Sequence, residues 1–170
     1  YADSTNPVEE EAQYSAGSSL PITMFGLDGV QARFTYDSLK RVKWSGIDVD
    51  QNALFTSNGP DRINETLYDV TTYTDGTSYD VIRTRQNVYP TVGNSTSVLV
   101  SESMVSTDGL RSWNILYPTP STPSVTKTEI SYSGNQRTET VTHASGSGSV
   151  RDFTDGRLMT AKTTDSNGVT

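Results

Sequence analysis

The chain of 170 residues contains no cysteine and only one histidine. Without cysteine there are no disulfides and no thiolate metal sites, so hydrogen-bonded strands and neighbouring repeats must supply stability. Helices are excluded almost everywhere, because Gly, Pro, Ser and Thr interrupt each apolar pattern of helical period before three turns. No apolar run approaches the roughly 18 residues that a membrane span requires. The sequence therefore indicates a chain without disulfides, long helices or a membrane span.

Hydrophobic residues and positive charge are both scarce. Only 32% of the residues are hydrophobic, and the mean hydropathy is -0.53. Ser and Thr together make up about a quarter of the chain, above their usual share. The formal charge of -7 excludes nucleic acid as a partner, since binding to phosphates needs clustered Lys and Arg. We expect thin β-layers instead of one thick core.

Aromatic and β-branched residues dominate the ordered parts of the sequence. Nine Tyr, two Trp and four Phe recur among Val and Thr, a mixture typical of half-buried strands. Residues 31–37 alternate at period two, which places Ala32, Phe34 and Tyr36 on one face of a strand. The same alternation predicts strands over 97–105, 125–132 and 138–143.

Turn dipeptides separate these strands at uneven intervals along the chain. Each can supply the positive φ angles that tight hairpins need. They are Asp28-Gly29, Asn58-Gly59, Asp75-Gly76, Asp108-Gly109, Ser133-Gly134, Asp155-Gly156 and Asn167-Gly168. The segment 118–123 carries three prolines and is predicted to be a loop or a crossing, because proline cannot donate to a strand ladder.

The chain is predicted to have two parts. Residues 1–23 combine an acidic run with a Ser- and Gly-rich stretch and show no sustained period, which indicates a lead-in or linker. Residues 24–170 hold degenerate β-hairpin repeats that we expect to continue beyond residue 170.

Several turns carry a Tyr-Asp or Asp-Gly pair in the same order, followed by a basic residue. Tyr36-Asp37-Ser38-Leu39-Lys40-Arg41 resembles the "YDxxGR" core of the Rhs, or YD-repeat, family, with Lys40 where the family has Gly. The further segments that carry this resemblance contain Asp75, Gly76, Tyr79, Asp80, Asp108, Gly109, Asp155, Gly156 and Arg157.

The resemblance implies a fold and a function. The repeats of this family form antiparallel hairpins in a spiralling β-sheet that encloses a hollow shell. By this resemblance the chain is a structural wall segment of a secreted or cell-surface bacterial protein. Its partners are the remainder of its own repeat chain and an encapsulated toxin domain or other cargo.

Two other functions remain open alongside this one. One is an adhesin-like or carbohydrate-binding β-sandwich that offers Trp44, Trp113 and tyrosines to a glycan, although packing between repeats is the favoured use of these rings. The other is a subunit of an extracellular filament, in which strands of one copy complete the sheet of the next.

Residues with catalytic or metal-binding potential are few. Asp48-Val49-Asp50-Gln51-Asn52 begins like a calcium loop, but the later positions of an EF-hand do not follow, so a polar turn is favoured. His143 precedes a Gly- and Ser-rich loop and lacks a nucleophile-elbow pattern. We predict no catalytic, cofactor or metal residues, and we do not expect an enzyme.

Two further kinds of candidate are common in chains of this composition. Paired carboxylates such as Glu9 with Glu10, or Glu102 with Asp108, satisfy a glycosidase only if the fold brings them together. Asn64 and Asn94 each begin an N-glycosylation sequon.

Overall fold

The structure is a computed structural model that describes residues 11–26, 30–89 and 95–166. Every element in these ranges is a β-strand, which confirms the predicted all-β class. The strands are β1 (Glu11–Tyr14), β2 (Pro21–Phe25), β3 (Gln31–Tyr36), β4 (Val42–Ile47), β5 (Arg62–Asp75), β6 (Thr77–Val88), β7 (Val98–Ser106), β8 (Arg111–Thr119), β9 (Thr122–Ser133), β10 (Gln136–His143), β11 (Gly148–Thr154) and β12 (Arg157–Thr164). A search of the described residues for an apolar helix of membrane-spanning length finds none.

The twelve strands form one open sheet in the order of the chain, from β1 to β12. Successive strands are antiparallel, so each hairpin adds its second strand beside its first. Short connections favour this arrangement, because a tight turn can join only antiparallel neighbours. The β-sandwich alternative is therefore wrong for the described residues, because their strands belong to a single sheet.

The chain divides into two compact units. The first comprises Tyr1–Leu67 and Gln86–Val98, and the second comprises Tyr68–Arg85 and Leu99–Thr170. The long strands β5 and β6 each contribute residues to both units. The predicted repeat region 24–170 thus falls into two units, a division that the turn pattern did not indicate.

The first unit has a small apolar centre on β5. Ile63 is buried at 2% exposure. Beside it the ring of Trp44 lies edge-on to Phe55 and to Tyr89, each at 6.3 Å between ring centroids. The indole Nε1 of Trp44 donates a hydrogen bond of 3.0 Å to Glu65, so the polar end of this half-buried ring is satisfied.

The second unit has a larger core on one face of its strands. Alternation places Trp113 and Ile115 of β8 inward, opposite Met104 of β7, while Asn114 and Leu116 point away. Val81 completes the buried cluster, and the half-buried residues around it are Tyr73, Tyr79, Tyr117 and Val125. Full burial of an aliphatic side chain stabilises a fold by about 1.5 to 3 kcal/mol, so these few residues anchor the unit.

The predicted strands agree closely with the structure. The alternating segments 31–37, 97–105, 125–132 and 138–143 correspond to β3, β7, β9 and β10. Gly76, Gly109, Gly134 and Gly156 have positive φ in the turns between strands, as the dipeptides predicted. Asn58-Gly59 is the exception, since neither residue has a positive φ in the loop between β4 and β5. The turns at Asp28-Gly29 and Asn167-Gly168 lie outside the described residues.

Two sequence predictions are wrong. Residues 11–23 belong to the segment 1–23 that is predicted to be a lead-in or linker, but they form β1 and the beginning of β2, joined by a turn in which Gly17 has φ 73°. The alternation in β1 spans only four residues, too few to stand out. The proline segment forms a hairpin, and Pro118 and Pro123 lie at the ends of β8 and β9 where the register shifts between Leu116 and Thr119. Strand ends tolerate proline because the ladder there does not need its N–H.

Candidate functional site

The turn after β3 is organised by a single carboxylate. Oδ1 of Asp37 accepts hydrogen bonds from the backbone N–H of Leu39 at 2.9 Å and of Arg41 at 3.0 Å. Its Oδ2 accepts the Arg41 Nε at 2.8 Å and forms an ion pair with the same guanidinium. These contacts, with the Arg41 backbone hydrogen bond foremost, hold the pKa of Asp37 below its ordinary value. Tyr36 donates its hydroxyl to the carbonyl of Pro21 at 2.7 Å, which ties the turn to β2.

The turn between β7 and β8 uses the same device. Oδ1 of Asp108 accepts the backbone N–H of Leu110 at 2.8 Å and the hydroxyl of Ser106 at 2.5 Å. Its Oδ2 lies 3.2 Å from a guanidinium nitrogen of Arg111. The Ser106 hydroxyl contributes most to a lowered pKa of Asp108. In both turns, then, an aspartate accepts the N–H two residues later and pairs with an arginine.

The hairpin at Asp75-Gly76 works differently. Asp75 does not brace its own turn, because its Oδ2 accepts the indole Nε1 of Trp113 at 3.1 Å and pairs with Lys127 at 2.8 Å. The hydrogen bond from Lys127, followed by that from Trp113, lowers the pKa of Asp75. Asp80 on the returning strand accepts the hydroxyl of Thr72 at 3.2 Å.

Tyr79 belongs to the wall of this core. Its ring lies 5.5 Å from that of Trp113, and Tyr73 approaches the same indole edge-on at 5.1 Å. The guanidinium of Arg111 lies 4.7 Å from the Tyr79 ring centroid. A cation in this position gains about 0.5 to 1 kcal/mol at exposed sites and more when desolvated. Trp113 is completely buried, so the predicted packing use of this ring is confirmed and it cannot stack on a sugar.

The hairpin at Asp155-Gly156-Arg157 closes with two positive φ angles, 49° at Asp155 and 77° at Gly156. This pair of angles is typical of the hairpin turns that match the twist of antiparallel strands. Oδ1 of Asp155 accepts the side-chain amide of Asn135 at 3.0 Å. Arg157 is exposed and begins β12. The twelve predicted motif residues thus do not converge on one site; they are distributed over four hairpin turns and the Trp113 core.

Ion pairs extend the Trp113 core within the second unit. Arg83 forms a bidentate pair with Asp69, at 2.9 Å from Nε and 2.7 Å from the terminal nitrogen. It also lies 3.5 Å from Glu102, whose other oxygen accepts the Tyr117 hydroxyl at 2.5 Å. Burial, and then the Glu102 hydrogen bond, raise the pKa of Tyr117 to about 12. Bidentate pairing of this kind fixes geometry as well as charge.

A carboxylate cluster organises the loop between β4 and β5. Asp48, Asp50 and Asp61 each place one oxygen within 4.8 Å of the others. Asp48 and Asp61 are buried, at 2% and 6% exposure. The backbone N–H groups of Asn52 and Ala53 donate to Asp48 at 3.2 and 3.0 Å.

Asp61 is a member of this cluster that the calcium-loop pattern did not single out. It accepts the backbone N–H groups of Val49 and Thr56, both at 2.9 Å. Asp61 lies thirteen positions after Asp48, and this separation is not a fixed spacing of any metal-binding sequence motif. Carboxylate oxygens suit hard cations, but here both buried carboxylates fold the loop by accepting its own N–H groups. The favoured prediction, a polar turn, describes this geometry.

The remaining candidates lie apart. His143 is exposed, and its Nδ1 lies 3.2 Å from the Thr126 hydroxyl on the neighbouring strand. Glu102 binds Tyr117 and Arg83 while Asp108 braces a turn, so the structure assigns these two carboxylates to separate networks. Asn64 is exposed on β5.

Other candidates named from the sequence, Glu9, Glu10 and Asn94, lie outside the described residues. The described polar side chains accept hydrogen bonds from N–H groups at turns and form ion pairs across strands, and a few aromatic rings pack in the cores.

No model of a known protein family, no curated protein and no solved structure matches this chain.

Proposed function

We propose that the chain is a structural segment of a large secreted or cell-surface protein of the YD-repeat kind. In this role its hairpins form part of the wall of a β-shell, and the enclosed cargo is a toxin domain or another protein. The observation that carries the proposal is an antiparallel sheet built in chain order with very little core.

The thinness of the sheet supports a wall. Five hydrophobic residues of the described chain are buried, whereas thirteen large ones are exposed. Each described hairpin packs mainly on the strands before and after it, because strand order follows chain order. Stability in such an array comes from neighbouring repeats more than from a single core. A wall that extends by adding hairpins needs this kind of local bonding.

The turns at Asp37 and Asp108 give a second support. They share an aspartate that caps the turn and pairs with an arginine, although their sequences differ around it. A local device that recurs at separate hairpin turns is what a degenerate hairpin repeat requires. The turn at Asp75 departs from the device, since its carboxylate serves the Trp113 core.

The two tryptophans offer little support for the carbohydrate-binding alternative, because neither ring is free to stack on a sugar. Trp113 is buried and its Nε1 is bound to Asp75. Trp44 is half-buried between Phe55 and Tyr89, with its Nε1 bound to Glu65. Both indoles therefore serve packing.

The proposal is tested by cryo-electron microscopy of the native protein, recovered from the culture medium and from the surface of the producing cells. We expect residues 11–166 to lie within a larger continuous sheet that surrounds a lumen. A protein retained in the cytoplasm, or an isolated domain whose sheet ends at β12, would contradict the proposal.

A further inference from the structure

The strands of the second unit have two faces of different chemistry. We name the face that carries Trp113 and its buried cluster the core face, and the opposite face the outer face. Alternate residues of a strand point to opposite faces, so the alternation of buried and exposed residues and the strand register assign each residue of β5–β9 to one of them. The outer face consists of Val70, Thr72 and Thr74 of β5, Ser78, Asp80, Ile82 and Thr84 of β6, Ser101, Ser103 and Val105 of β7, Ser112, Asn114 and Leu116 of β8, and Thr126, Thr128 and Ile130 of β9.

Charged side chains are almost confined to the core face. The segments of β5–β9 that belong to the second unit contain nine charged residues. Eight of them lie on the core face, and each of the eight forms an ion pair with another of the eight. These eight are Asp69, Asp75, Arg83, Arg85, Glu102, Arg111, Lys127 and Glu129. The face that holds the buried rings is therefore also the face that presents charge to water.

The outer face carries the ninth charge, Asp80, close to the Asp75-Gly76 turn and so at the rim of the face. Its other residues are Ser, Thr, Asn and aliphatic side chains. Val70, Ile82 and Leu116 are 71%, 58% and 59% exposed. The water-facing side of an antiparallel sheet is ordinarily its polar side, whereas the centre of a protein interface is depleted in charge. The outer face thus has the charge distribution of an interface.

Three aliphatic side chains form a continuous row on the outer face. Cross-strand hydrogen bonds set the register of β5, β6 and β7. In this register Ile82 lies between Val70 and Val105. Such β-branched side chains pack well on a pleated surface. Two sheets that pack face to face through such rows lie about 10 Å apart, with their strands within about 30° of each other.

The size and the charge of the outer face indicate its partner. Five strands spaced about 4.8 Å apart, each contributing about seven residues, cover roughly 550 Å². This is about two thirds of the ~800 Å² that each partner buries in a standard interface, which suits a weak association. A charged partner surface would have to bury its charges unpaired, at a large cost in free energy. An uncharged sheet face has no such cost, and a second copy of this chain supplies one.

We propose that two copies of this chain associate through their outer faces, sheet against sheet. The contact is isologous, because the same residues of both copies face each other across a two-fold axis. Asp80 of each copy stays hydrated at the rim. The contact uses no strand edge, so the sheet of each copy can continue in chain order. It goes beyond the proposed function and does not depend on it, because a wall of one sheet is still a wall.

Sedimentation velocity of the chain over a range of concentrations tests this contact. We expect the wild-type chain to form a dimer that dissociates on dilution. Salt at about 1 M should not weaken the dimer, because the contact contains no ion pair. Ile82→Lys with Val105→Lys places two cations in the centre of each outer face, and we expect its dimer to be at least about tenfold weaker, because the lysines would be buried unpaired.

The matched control is Leu39→Lys with Leu54→Lys, which makes the same change in net charge at two exposed apolar residues of the first unit. This control should dimerise as the wild-type chain does. Circular dichroism checks that each variant is folded, and Ile82→Thr with Val105→Thr replaces the lysine variant if that variant unfolds; it should also weaken the dimer.

A wild-type chain that is monomeric at every concentration overturns the contact, and so does a folded outer-face variant that dimerises as tightly as the control. The proposed function would survive either result, because it depends on the continuous sheet and the lumen that microscopy of the native protein reveals.

Discussion

Aspartate has two distinct roles in this protein, and the neighbours of each carboxylate decide between them. Asp37 and Asp108 accept N–H groups of their own turns and pair with the arginine that follows. Asp75 occupies a similar place in the sequence, before a glycine at a hairpin, yet it serves a tryptophan and a lysine far along the chain. The same dipeptide can therefore close a turn or complete a core.

The role of Asp75 predicts an acid-sensitive stability for the second unit. Its pKa in the folded chain lies below the ordinary 3.8 because Lys127 and Trp113 hydrogen-bond to the carboxylate. A lowered pKa stabilises the fold above the unfolded pKa, and the effect is lost as the pH falls through the folded value. We expect Asp75→Asn to lower the free energy of unfolding by about 1 kcal/mol at pH 7, a modest effect because the side chain is 39% exposed.

Urea unfolding at pH 7 and at pH 3, followed by tryptophan fluorescence, measures this effect. The difference between Asp75→Asn and the wild-type chain should shrink at pH 3. Asp80→Asn is the matched control, because Asp80 is exposed and its carboxylate accepts a hydrogen bond from the exposed Thr72 hydroxyl. An equal loss at both pH values would contradict a role for the charge of Asp75.

At the scale of the strand, close backbone approach constrains one position in β4. Gly46 lies opposite Ile63 of β5, and a Cβ at Gly46 would collide with the carbonyl oxygen of Arg62. Real side chains do not tolerate such a contact, so the two strands would have to separate. Both strand residues belong to the first unit, whose buried centre is Ile63.

We therefore expect Gly46→Ala to destabilise the first unit by about 1 to 3 kcal/mol, the usual cost of forcing extra volume into a packed site. Thermal unfolding followed by circular dichroism, together with amide exchange along β5, measures it. Ser45→Ala on the same strand is the control and should unfold nearly as the wild-type chain does. A Gly46→Ala chain as stable as this control would mean that β4 and β5 do not approach so closely.

The strands could be predicted from sequence because side-chain alternation is a local signal. Gln31–Tyr36 and Gln136–His143 show it over six residues or more, and a turn dipeptide follows or precedes each. β1 cannot be predicted in this way, because four residues give too little alternation. The proline hairpin cannot be predicted either, because the register shift that accommodates the prolines depends on how β8 and β9 pair.

The contacts of the candidate site were harder to predict. Asp37 with Arg41 lies within one turn, so its pairing is local. The bond of Asp75 to Trp113 joins residues 38 positions apart, and the approach of Asp61 to Asp48 spans a loop of irregular length. Such meetings depend on which strands become neighbours and in which register, information that no short motif contains.

At the scale of the whole molecule, the described chain is an antiparallel sheet in chain order, and among the described residues its last strand, β12, pairs with β11. Few of the described side chains are buried, strand follows strand in order, and the residues of β12 from 157 to 163 are exposed. These features support a wall that is completed by further strands. The central claim is thus that β12 has a hydrogen-bonded neighbour in the native protein.

Amide hydrogen exchange at β12 tests this claim most directly. The measurement compares residues 1–170 alone, kept monomeric by dilution, with the native protein from the producing cells. The account predicts that the outward-facing amides of Arg157–Thr164 exchange at least about a hundredfold more slowly in the native protein, because they donate there to a further strand. Equal and rapid exchange of these amides in both samples would contradict it.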